Sequence, residues 1–148
     1  MSEKNVEELI KMFEAGTLPE ERWTHKCHFI MALWYLNKFP FPQAVFKIKE
    51  GIKQFNIAKG DKNTANSGYH ETITQCYIFI ILNFLNSFPV ASSFQDFLIK
   101  LDTQLFLEKD YLLNFYTRKV LFSHQARLQW ISPDIRPLPL FFKTSTIL

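Results

Sequence analysis

Apolar side chains along this chain recur every three or four residues and almost never every second one. That spacing is the signature of helices and argues against a sheet. Val6, Leu9, Ile10 and Phe13 fall at i, i+3, i+4 and i+7. They make one buried stripe of a helix over about 4–15, with Gly16 as its stop. Thr17-Leu18-Pro19-Glu20 has the form of a capping box, which predicts a helix starting near Leu18. That helix either continues through Trp23 or restarts at Thr24, a second candidate cap. It extends to about Lys38, where Phe39-Pro40-Phe41-Pro42 ends it. His25, Phe29, Ala32 and Leu36 share one face, with His28 on its flank. Trp23, Cys27, Ile30 and Trp34 share the opposite face. A helix apolar on both faces is buried on both, so this one belongs inside the molecule.

Later segments follow the same logic. Pro42 opens a helix to about Ala58, striped by Val45, Ile48, Ile52 and Phe55. Its outward lysines, Lys47, Lys49 and Lys53, read as a solvated helix side. The stretch Gly60 to Gly68 is one long polar loop, of the composition that often carries function. Its backbone N–H groups, where it feeds a helix, could hold an anion, although ordinary capping is the favoured role. A helix from about Gly68 to Ser87 is expected next, capped by Ser67, with His70, Thr74, Tyr77, Ile81, Phe84 and Phe88 on one face. Ser92 or Ser93 caps another that buries Phe94, Phe97, Leu98 and Leu101. A further helix is expected over about 109–122, and a short turn over 123–130. Pro133, Pro137 and Pro139 then keep the tail extended. The fold class is all-α: a compact single-domain bundle of five to seven helices with an extended, Pro-rich C-terminal tail. The domain covers 1–148, with 1–3 and 143–148 loose at the ends.

Composition excludes several function classes. Hydrophobic residues make up 47% and charged residues 21%, so the chain can bury a core and intrinsic disorder is excluded. A net charge of +3 with scattered lysines gives no basic stripe for nucleic acid. The longest apolar run, 76–82, is too short to span a membrane. Cys27 and Cys76 make no disulfide framework, and the start of the chain is polar and acidic rather than a leader. A cytoplasmic setting is expected.

Chemistry concentrates in two places. His25 and His28 are three apart on a helix, which brings their Cβ atoms within about 5–6 Å and lets two imidazoles grip one ion. A helix start also favours the neutral, ligating form. His70 and Glu71 stand where the polar loop enters a buried helix. Together His25, His28, His70 and perhaps Glu71 make a three-His or three-His-one-carboxylate set, suited to zinc or non-haem iron with an open position for water or substrate. Glu71 would ligate, act as general base, or orient an imidazole. The alternative is that His25 and His70 are satisfied core histidines and His28 lies at the surface. His124, Arg127 and Arg136 are further candidates. His124 reads more as an exposed residue beside a helix cap, and the arginines as partners for an anionic substrate or for Glu71, Asp102 or Asp134. Cys27 and Cys76 read as structural thiols.

Phe13 through Leu18-Pro19, Trp23-Thr24-His25-x-x-His28, Gly-Tyr-His-Glu-Thr at 68–72, Ala126-Arg127-x-x-Trp130, Pro133-Asp134 and Pro137-Leu138-Pro139 together resemble a family of short, uncharacterised bacterial proteins. The resemblance covers most of the chain. It carries no assigned activity, but it implies that His25, His28, His70 and Glu71 form a site, and it leaves His124 outside. Two functions follow as expectations. One is a metal-binding protein, in the stronger form an enzyme, with His25, His28 and His70 on zinc or iron and Glu71 moving protons. The other is a non-catalytic module that encloses a small ligand in its aromatic core or forms a homodimer through Phe141, Phe142 and the apolar tail.

Overall fold

Every regular element of the computed structural model, which describes residues 1–140, is helical. The expected role of Phe141 and Phe142, and of the end at 143–148, lies outside the described residues. Among the described residues seven α-helices run in chain order: α1 Glu3–Ala15, α2 His25–Lys38, α3 Phe41–Ala58, α4 Glu71–Asn86, α5 Phe94–Leu101, α6 Arg118–Leu121 and α7 His124–Leu128. Short 3-10 turns at Glu20–Arg22, Leu105–Leu107 and Tyr111–Asn114 link them. No strand occurs among the described residues.

Helix α2 is the centre, as its two apolar faces require. It packs most extensively on α3 and α4, and α1 joins it on another side. Phe29, Ile30, Met31, Ala32, Leu33 and Tyr35 are all buried, which leaves no polar face along its middle. Trp23, at the entry to α2, stacks on Phe13 of α1 with ring centroids 4.8 Å apart and lies 5.1 Å from Phe55 of α3. Gly51 lets these helices close: a Cβ there would lie 2.8 Å from the Phe13 ring.

The ends of the helices show where the sequence expectation holds and where packing overrides it. Ser2 caps α1 in a capping box with Asn5, so positions 1–3, expected to be loose, carry the cap. Gly16 closes α1 at φ +72° as anticipated. The capping box at 17–20 starts no α-helix, and the 3-10 turn at Glu20–Arg22 that follows it has no side-chain cap. Thr17 instead turns back to the Met12 carbonyl through both its backbone N–H and its hydroxyl, finishing α1, and Leu18 is fully buried. The second helix restarts at Thr24, whose hydroxyl accepts from the Cys27 N–H. Ser93 caps α5 through the expected box with Asp96.

The helix expected over 109–122 is broken into a 3-10 turn and the four-residue α6. The break lies at Thr117, whose N–H and hydroxyl both donate to the Asp134 carboxylate at 2.8 Å. The extended tail thereby claims a backbone donor that a continuous helix would have used. The tail is held again where the Ile135 N–H donates to the Phe115 carbonyl at 2.9 Å.

The loop at 60–68 is pinned rather than open. Asn63 is its hub: its amide donates to the Lys53 carbonyl, and its Oδ1 accepts from Asn56 and from the Tyr69 N–H. Gly68 sits at φ +80°, and a Cβ there would stand 2.4 Å from the Lys62 carbonyl oxygen. Gly68→Ala combines a left-handed alanine with a backbone clash, so it should cost roughly 2 kcal/mol or more. Urea unfolding checks this, and an unchanged midpoint would contradict the assigned loop geometry.

Candidate functional site

The five residues 68–72 are a joint between layers of the fold. Helix α4 begins at Glu71, not near Gly68, because the side chain of His70 supplies the cap: its Nδ1 accepts from the Ile73 N–H at 3.1 Å. The other ring nitrogen, Nε2, donates to the Leu121 carbonyl at 2.8 Å. This pairing fixes one neutral tautomer and occupies both nitrogens. His70 is 7% exposed, and burial lowers its pKa. The Leu121 bond works in the opposite direction, and the nearby Arg127 charge adds to the lowering.

Its neighbours do similar structural work. Thr72, fully buried, donates to the Gln129 carbonyl at 2.8 Å and accepts from the Ile131 N–H at 3.1 Å. Arg127 donates to the Gly68 carbonyl at 2.7 Å. The Glu71 carboxylate takes Lys49 of α3 at 2.9 Å and the Tyr69 hydroxyl at 2.5 Å. Burial pushes the Glu71 pKa up, but the bonds from Tyr69 and Lys49 and the charges of Lys49 and Lys53 outweigh it and hold the carboxyl below its usual range. Glu71 is thus a fixed anion bridging α3 and α4, with its two oxygens engaged, and poorly placed to accept a substrate proton.

His25 and His28 lie elsewhere. They open α2 and line a cavity between α2, α3 and α4 whose walls do not include His70. The metal set expected from sequence is therefore not assembled. His70 has no lone pair to offer, Glu71 is bound to Lys49 and Tyr69, and no three His, Cys, Asp or Glu side chains among the described residues form a group able to hold an ion. His124 is exposed at the first position of α7, beside its Ser123 cap, as the sequence indicated. Arg127 braces the Gly68 carbonyl rather than a carboxylate, and Arg136 lies over the Phe115 ring at 5.5 Å. Cys76 is buried 3.5 Å from the Tyr116 hydroxyl, and burial pushes its thiol pKa up to about 11.

The cavity itself was not legible as a site. It holds about 230 Å³ and is walled by Ile48 and Ile52 of α3, Met31 and Ala32 of α2, and Ile73 and Ile78 of α4. Phe29, Tyr77, His25 and His28 surround it with rings, and Thr74 adds a hydroxyl. His25 meets Phe29 edge-on at 4.9 Å and Tyr77 at 5.9 Å. His28 lies over Trp23 with centroids 3.9 Å apart, and its Nδ1–H donates to the Thr24 carbonyl at 2.8 Å. That donation leaves the Nε2 of a neutral ring with a lone pair. Burial lowers the pKa of both histidines. The charge of Lys109 contributes for His25, and for His28 proximity to His25 contributes while the Thr24 bond opposes. The one hint in the sequence is the i, i+3 pair at a helix start. Nothing in it shows that six aliphatic side chains from three helices leave space beneath that pair.

No family model matches the chain, and neither curated proteins nor solved structures yield a match. No helix among the described residues is long and apolar enough to cross a membrane.

Because all three histidines at the two motifs have lowered pKa values, the unfolded chain binds more protons than the native one just below pH 6.5. Stability is then fully present above about pH 6.5 and falls as pH drops toward the folded-state pKa values. Protonating His70 would also turn the acceptor of the Ile73 N–H into a donor. Replacing His70 by Ala should cost about 2–3 kcal/mol, whereas Asn, a good cap, should recover about 1 kcal/mol of it. Denaturant unfolding of both variants at pH 7.5 and pH 5.5 checks these values. Equal losses for Ala and Asn would remove the capping role.

Proposed function

We propose that this protein binds a small, mainly apolar molecule in the cavity between α2, α3 and α4. The observation that carries the reading is the lining: six aliphatic side chains and a ring collar, with the polar groups confined to His25, His28, Thr74 and Tyr77. Small-molecule sites have this composition, apolar walls with a few polar groups that fix orientation. The reading follows the second of the two functions expected from the sequence. Zinc or iron would fall to His25 and His28 alone, a donor set one protein ligand short of the three usual at catalytic zinc. A cytoplasmic setting belongs to the same reading and is supported by Cys27 and Cys76, which are both free thiols.

Methyl groups report on this site directly. Toluene titrated into protein labelled at isoleucine methyls should give saturable shifts at Ile48, Ile52, Ile73 and Ile78. Ala32→Leu, which projects two further methyl groups into the space, should weaken that binding several-fold while circular dichroism stays helical. Overpacking of this kind costs about 1–3 kcal/mol. Shifts that stay linear in toluene concentration, or that fall evenly over the protein, would refute the reading. A zinc titration belongs beside it: stoichiometric uptake lost in both His25→Ala and His70→Ala would restore the shared metal site.

A further inference from the structure

The cavity carries a chemical preference that its apolar walls do not. The Thr24 carbonyl accepts the Nδ1–H of His28 at 2.8 Å, and a carbonyl can only accept, so the proton of the neutral ring is fixed on Nδ1. Nε2 is therefore an obligate acceptor. No side chain or backbone group among the described residues donates to it, and the ring that carries it lines the cavity. The Thr74 and Tyr77 hydroxyls can each donate or accept, and no hydrogen bond among the described residues fixes the tautomer of His25, so these three impose no sign on a ligand. His28 does. One face of the ring is also held in place: Trp23 lies against it at 3.9 Å, and Trp23 is itself fixed by Phe13 and Phe55.

Size narrows the class further. An apolar cavity on the order of 150 Å³ admits benzene, and this one holds about 230 Å³. The edge-on rings Phe29 and Tyr77, 4.6 Å apart, favour a flat occupant that can meet ring edges and faces. We propose that the ligand is a small, neutral aromatic molecule bearing one hydroxyl or N–H donor, which it gives to His28 Nε2. The proposal rests on the cavity reading and adds to it the sign and position of the polar contact.

Phenol and toluene are matched probes, since each has a six-membered ring and one further heavy atom. Without an acceptor, burying the phenol hydroxyl is penalised and toluene is favoured. A net hydrogen bond to His28 should shift the toluene-to-phenol ratio of dissociation constants about fivefold to tenfold toward phenol. His28→Phe keeps a ring on Trp23 and deletes the lone pair, and the ratio should return by the same factor. The 15N resonance of His28 Nε2 should move toward its hydrogen-bonded position with phenol and not with toluene. Toluene binding with an equal ratio in the native protein and His28→Phe, and an unmoved Nε2 resonance, would overturn the proposal and leave the cavity reading standing. Binding of neither probe would overturn both. If His28→Phe does not fold, the nitrogen resonance of the native protein decides alone.

Discussion

Helix α2 has no polar face along its middle, and the molecule is built to satisfy that condition. A helix apolar all round exposes hydrocarbon to water on any side left uncovered, so α1, α3 and α4 must each present an apolar surface to it. The stack of Phe13, Trp23 and Phe55 secures its first turn, and Gly51 removes the side chain that would hold α3 off α1. The cavity is a consequence of the same arrangement. Three helices meeting around the start of α2 leave a gap where Ala32 is small, and the rings of His25 and His28 border that gap rather than fill it.

The residues at 68–72 serve the second requirement, attachment of the short C-terminal helices. Helices of four and five residues have almost no stability of their own. They are held instead by hydrogen bonds from one stretch of chain: Gly68 to Arg127, His70 to Leu121, and Thr72 to Gln129 and Ile131. Asp134 completes the attachment at Thr117. The motif residues that looked like chemistry in the sequence are thus largely occupied in joining one layer to another. An imidazole with both nitrogens bonded to backbone is a structural element, however suggestive its neighbours.

Much of the fold was legible because it depends on local periodicity. The stripe of α1, the double burial of α2, the Pro-started α3, the Ser93 box and the extended prolines all follow from side-chain spacing and capping chemistry within a few residues. The structure departs from that local pattern where a competing partner intervenes, near in the chain or far along it. Thr17 and Glu20 have the right types for a cap, but Thr17 bonds back to Met12. Residues 109–122 have helical spacing, but Asp134 takes the Thr117 donor. Ser67 is the better cap by residue type, but the αL turn at Gly68 moves the start to His70. His25 and His28 lie together at the start of α2 as their spacing predicts, since that depends only on residues three apart.

The sequence by itself therefore determined the helical class, the central place of α2 and the pairing of His25 with His28, because each is a property of neighbouring residues on one helix. Only the tertiary structure decided that His70 faces the Leu121 carbonyl instead of the other two imidazoles, that Glu71 is bound to Lys49, and that a cavity opens beneath the pair. Those outcomes depend on how whole helices are set against one another, and that relation is fixed by the sum of many packing contacts between residues far apart in the chain.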